Sequence, residues 1–278
     1  MVRRRSPQVA LRIGVVDYLN AYPLWAALEP AGEIHSNKTG ANATLAVESS
    51  RVELVRGVPS FLAQELLAGR VDAALISSVE YLRHREGLSF HPNLCISAAR
   101  EVKSIRLFVH ALEQPFVAQL RGIKKIYTDI SSRSSVAQLR VMLAELKANP
   151  ELEEIAHAGE RIATLKDGEA LLAIGDTALA HMHEPSFDLQ REYFEIFAHG
   201  FVYALWVFRT EQSEQIIPVL SQAYQIYKAD VSRYLRLATE RFGFRGDFTE
   251  SYLTEIIQHE LSADRRADLE FFAAKLRN

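Results

Sequence analysis

The polar side chains best placed to do chemistry in this chain stand where short apolar runs give way to helical patterns. Asp17, Tyr18, Leu19 and Asn20 directly follow the apolar run at 12–16 (RIGVV). The Asn20 amide can donate and accept, so it can orient a carboxylate or a hydroxyl without charge. Asparagine is equally at home as a helix N-cap, and Pro23 lies just beyond. Asp17 is the candidate general base, and the plainer alternative is a solvated charge or a turn former. Ser77 and Ser78 end a second run, VDAALI. Their hydroxyls and the free N–H groups of the helix that follows make an anion site, or simply a cap.

The densest group runs from Asp129 to Ser135. Ser131, Ser132, Ser134 and Ser135, with Arg133 among them, surround the start of a long helical pattern. Several donors and a helix dipole can hold one carboxylate there, and capping alone is the competing reading. Ser104 and Arg106 open a further strand, where a cation can meet an acidic ligand or stay at the surface. Asp176, after Gly175, is placed to cap a helix while facing the same crevice.

Other chemistries lack their residues. His181, His183 and Glu184 suggest metal ligands, but a two-residue spacing on a helix points the imidazoles to different sides, so no metal site is expected. Walker, GxGxxG, GxSxG and HExxH patterns are absent. A formal charge of -3, from 32 basic and 35 acidic residues, offers no basic field for nucleic acid. The lone Cys95 can form neither an internal disulfide nor a multi-cysteine zinc site, which suits a reducing compartment. The leader MVRRRSPQ is followed by only Val9-Ala10-Leu11 before Arg12, too short for an export signal, and no apolar run is long enough to span a bilayer. A cytoplasmic protein is expected.

The elements that must carry these residues alternate. Strands are expected at 12–16, 42–47 and 71–76, with helices after Asn20, after Pro59 and over 79–85. Strand-like runs at 94–98 and 105–110 flank a polar connection, 99–104, read as a hinge. Strand and helix then alternate again through 124–128, 133–147 and 171–174. The apolar run 201–208 (FVYALWVF) returns the chain, and only helical patterns follow from Glu214. Across 278 residues this predicts an α/β clamshell of two lobes, each a mainly parallel sheet flanked by helices. The lobes are 1–99 with 203–278, and 100–202, with the ligand cleft between them at the carboxyl ends of strands.

Taken in order, VVDYLNAYPL, VPSFLAQELLAGRVDAALISSVEYLR, YTDISSRSSVAQLRVML and LLAIGDTAL resemble the chorismate dehydratase family, which serves the futalosine route to menaquinone. The resemblance covers about positions 12 to 209 and implies the type II periplasmic-binding-protein fold. It also implies conversion of chorismate to 3-[(1-carboxyvinyl)oxy]benzoate and water with no metal or organic cofactor. By residue, it assigns Asn20 to the reacting ring and Ser78 to the serine that ends the DxALI strand. Ser131, Ser132, Ser134 and Ser135 would hold a carboxylate, and Asp17, Tyr18, Ser77, Ser104, Arg106 and Asp176 would line the substrate site. The proton goes to a substrate carboxylate or to Asp17. Two stretches, 100–104 (REVKS) and 198–202 (AHGFV), depart from the family pattern at the crossovers. The alternative is a non-catalytic binding or sensor protein for a small anion on the same fold; a homodimer is left open.

Overall fold

The computed structural model describes residues 10–29, 52–130 and 132–277. The strand expected over 42–47 and the candidate Ser131 lie outside the described residues. The first apolar run forms β1 (Leu11–Val15), in which Ile13 and Val15 are wholly buried. A short turn over Leu19–Ala21 leads into α1 (Tyr22–Trp25). β2 (Val52–Arg56), α2 (Pro59–Leu67), β3 (Ala73–Ser77), α3 (Ser78–Arg83) and β4 (Leu88–Ala98) follow. Pro59 stands in the first turn of α2, where its missing N–H costs nothing.

A second run comprises β5 (Ile105–Val109), α4 (Phe116–Gly122), β6 (Lys125–Asp129), α5 (Arg133–Glu145), β7 (Glu151–Ile155), β8 (Glu169–Ile174), α6 (Gly175–Ala180), β9 (Ser186–Asp188) and α7 (Leu189–Phe197). β10 (Phe201–Arg209) carries the chain back. It is followed by α8 (Ser213–Ala229), α9 (Val231–Phe242), α10 (Gly246–Ser251), β11 (Ile257–Glu260) and α11 (Ala263–Lys275).

The strands make two sheets, in the orders β11-β4-β10-β3-β1-β2 and β7-β6-β8-β5-β9. β1 pairs parallel with β2 and β3, and β6 pairs parallel with β7 and β8. The sheets are nevertheless mixed in their pairing. β10 is antiparallel to both β3 and β4, β11 to β4, and β5 to both β8 and β9. The cause is the shared crossover: β1, β3 and β4 run toward the other lobe, so a strand arriving from that lobe must run away from it. β10 still packs as its composition requires, with Leu205, Trp206, Val207 and Phe208 fully buried. The expectation of helices alone beyond Glu214 is corrected by β11, which adds an edge to the first sheet after a π-helical turn at Tyr252–Ile256. No helix among the described residues is long and apolar enough to cross a membrane.

Buried polar groups hold the two crossovers in place. Asp188 accepts from the backbone N–H of Val102 and of Lys103, and caps α7 through Gln190 N and Arg191 N. The Gln190 amide donates to Ala99 O at 2.9 Å and to His199 O at 3.1 Å, and so ties one crossover to the other. On the return path Gly200 N donates to Asp268 Oδ1 at 3.1 Å. A Cβ at Gly200 would run into the Arg265 guanidinium and lie 2.7 Å from Asp268 Oδ2, so no side chain fits there without moving this pair.

Candidate functional site

A cleft opens where the carboxyl ends of β1, β3 and β8 meet the amino end of α5. Its volume, counted with the space open to solvent, is about 530 Å³. Val16, Ile96, Ile105 and Ile174 supply its apolar wall, and Tyr18, Asn20, Ser77, Ser132, Arg133, Ser134 and Ser135 its polar side. Among the described residues, the lining contains no carboxylate, imidazole or amine.

A relay of hydroxyls crosses the floor. Val79 N donates to Ser77 Oγ, and Ser134 Oγ donates to Tyr203 O at 2.7 Å. A carbonyl can only accept, so the 2.6 Å contact between Ser77 and Ser134 has Ser77 as donor. Ser77 thus caps α3 and faces the cleft at once. Ser78 is wholly buried and donates to Val202 O at 2.6 Å, so its hydroxyl belongs to the wall, whereas Ser77 lines the cleft.

The amino end of α5 is the strongest anion-binding feature. Ser132 stands at the N-cap position, yet its side chain makes no capping bond, and its buried Oγ has no hydrogen-bond partner among the described residues. Ser134 and Ser135 are buried beside it, and Arg133 brings a guanidinium to the lining. The first N–H groups of a helix lack internal acceptors, so hydroxyls, N–H groups and one cation converge on a single place.

Asn20 lies in the turn between β1 and α1, where neither helix start uses its side chain as a cap. His259 Nε2 donates to its backbone oxygen at 2.8 Å. Burial keeps that imidazole neutral by pushing its pKa down to about 4. The Tyr18 ring lies against Gly175, where a Cβ would come within 3.1 Å of it at a φ of +61°. That glycine lets the two lobes meet. Asp176 accepts from Leu19 N across the same junction at 3.1 Å, instead of capping α6. Burial pushes its carboxyl up to about 6, and the charge of Asp17 adds to the rise.

Three sequence candidates face elsewhere. Asp17 is exposed and held by a two-pronged bond from Arg241, Nε to Oδ1 at 3.0 Å and Nη2 to Oδ2 at 2.8 Å, with Arg56 at 3.7 Å. Arg106 donates to Ser186 Oγ and Ser186 O on the far edge of β5. Ser104 is fully buried and bonds Val102 O within the crossover. Among the described residues, the cation that lines the cleft is Arg133, already present in the serine-rich segment. His181 and His183 follow α6 rather than lie in it, with ring centroids 6.2 Å apart. Among the described residues, no group of His, Cys, Asp and Glu could hold a metal ion.

Two mixed sheets joined by two crossovers, with a serine-lined cleft between them, make the periplasmic-binding-protein-like fold. The periplasmic aliphatic sulphonate binding protein of Escherichia coli aligns with a TM-score of 0.64 at 14% identity, over 98% of this chain and 87% of its own. A structural-genomics protein of Archaeoglobus fulgidus aligns with a TM-score of 0.71 at 12% identity, over 96% and 97% of the two chains. A Candida albicans gene product, described as having the generic periplasmic binding protein fold, aligns at 0.63 and 11% identity, over 95% and 90%. The chain belongs to the menaquinone biosynthesis family, whose sequence profile matches residues 11–278. It is 27% identical over 253 residues to the chorismate dehydratase of Thermus thermophilus, which covers 84% of this chain and 89% of that protein.

Proposed function

We propose that this chain is a hydro-lyase of the futalosine route, acting in the cytoplasm, that converts chorismate to 3-[(1-carboxyvinyl)oxy]benzoate and water. The lobes are 1–99 with 203–278, and 100–202, and they close on the substrate about the two crossovers. The observation that carries the reading is the lining of the cleft, which among the described residues offers hydroxyls, an amide, the Arg133 guanidinium and a helix N-terminus but no carboxylate, imidazole or amine. Chorismate suits such a site. It brings two carboxylates of its own, and loss of the ring hydroxyl with the neighbouring ring hydrogen makes the ring aromatic. Catalysis then consists of holding one conformer and stabilising the departing hydroxide.

In this reading the buried hydroxyl of Ser132, with Ser135, Arg133 and the first N–H groups of α5, binds one carboxylate at the head of that helix, while Ser134 holds the floor through its bond to Tyr203 O. Asn20 donates to the ring hydroxyl as it leaves, and Ser77 supports the ring from the opposite wall. Ser78 acts only by fixing the backbone at Val202. The second carboxylate of the substrate takes the ring proton, because Asp17 is turned outward into its pairing with Arg241. The C–O electrons leave with the hydroxide, which combines with that proton as water.

Asn20→Ala tests the assignment. Removing one donor to a developing oxyanion costs about 10²–10³ in kcat, with KM little changed. Turnover close to that of the unmodified protein would overturn the role of Asn20. The binding-protein reading draws on the sulphonate-binding structural relative. It predicts a raised melting temperature with chorismate, which is left intact.

A further inference from the structure

We propose that Tyr252 and His259, contributed by the C-terminal segment, are positioning residues that set the orientation of the Asn20 amide. The inference rests on the reading of Asn20 given above and extends it to residues more than two hundred positions away. Two backbone irregularities bring them there. Tyr252 opens the π-helical turn Tyr252–Ile256, a rare form that tends to occur at functional sites. His259 falls at the irregularity of the β11–β4 ladder, where the register shifts between Gln258 and Glu260. Bulges of this kind re-aim a side chain. The burial of β11 alternates, so that Ile257 and His259 point inward while Gln258 and Glu260 face solvent.

The two side chains hold different parts of Asn20. His259 Nε2 donates to the Asn20 backbone oxygen at 2.8 Å and fixes the turn. The acceptor is a carbonyl, so this nitrogen must carry the proton. The Tyr252 hydroxyl is wholly buried and lies near the side chains of Ser104 and Asn20, without a hydrogen bond of full geometry to either. A buried hydroxyl without a partner is costly and is expected to have a role. Donated to Asn20 Oδ1, it would turn the Nδ2 amino group toward the cleft, the orientation the leaving hydroxyl requires. The lobe-closed state would complete this bond, with Ser104 of the crossover as the second contact.

The test is a double-mutant cycle with Tyr252→Phe and Asn20→Ala, read by turnover and by the ¹⁵N-labelled side-chain amide signals of Asn20. Tyr252→Phe keeps the ring and its packing. It is expected to lower kcat about tenfold, the size of one hydrogen bond to a polar group, while KM changes less than about threefold. Acting through Asn20, it should slow the Asn20→Ala protein no further. His259→Gln, which keeps a donor, should retain more activity than His259→Leu. A Tyr252→Phe enzyme at full kcat, or losses that simply multiply, would overturn the inference. Should the unmodified protein leave chorismate untouched, the proposed reaction falls separately. The amide signals then decide: a shift in Tyr252→Phe supports the positioning, and unchanged signals refute it.

Discussion

Asp176 joins the two lobes beside the candidate site, and its replacement by asparagine is a quantitative test of the closed geometry. The carboxyl accepts from Leu19 N at 3.1 Å, a bond that asparagine Oδ1 can keep. Burial raises its pKa from 3.8 to about 6. A displacement of that size corresponds to about 3 kcal/mol. The folded-state value lies above the unfolded one, so this stabilisation is fully present below pH 3.8 and is lost as the pH rises through about 6. The carboxylate regains about 0.3–1 kcal/mol from the first turn of α6, which asparagine forgoes. Asp176→Asn should therefore be about 2 kcal/mol more stable than the unmodified protein near pH 7.5. The two should converge near pH 4. Urea unfolding at both pH values measures the difference, and every other titrating group cancels in the comparison. A variant less stable near pH 7.5, or a gain just as large near pH 4, would refute the burial of this carboxylate at the lobe junction.

Three further outcomes follow from the same contacts. His91 and His259 are buried and neutral, with pKa values pushed down to about 4, so stability should fall as pH drops from 6.5 toward 4; His91→Gln should flatten part of that decline in urea titrations. Asp17→Asn removes an exposed charge paired with Arg241 and should cost less than about 1 kcal/mol, leaving any turnover within about twofold. Gly200→Ala pushes a methyl into the Arg265–Asp268 pair and should destabilise by about 2–4 kcal/mol in denaturant melts, whereas a neutral result would contradict the tight return crossover.

The strands legible in the sequence were those whose two faces are both covered. RIGVV, VDAALI and FVYALWVF are apolar because helices lie on either side, and their composition alone announces them. β2, β7 and β11 read VELVR, ELEEI and IQHE, edge strands with charged or polar outer faces. They owe their conformation to the ladder partner rather than to an apolar run. The same limit applies to the site. Strand ends followed by serines or asparagine point to a crevice, and Asn20, Ser77 and Ser132 to Ser135 do meet there. Adjacent residues at a strand–helix junction point different ways, so it took the backbone to show that Ser77 lines the cleft while Ser78 bonds Val202 O behind it. Asp17 and Arg106 found partners in Arg241 and Ser186, far along the chain. Tyr252 and His259 reach Asn20 through a π turn and a bulge, neither of which has a sequence pattern to reveal it.

The most direct test of the account is to add the purified protein to chorismate, follow the absorbance of the ring diene, and weigh the product. The account predicts loss of the diene with a product lighter by one water, and failure of Asn20→Ala to form it at a comparable rate. Chorismate recovered intact, with the protein's melting temperature raised, would contradict it and leave a binding protein in the same cleft.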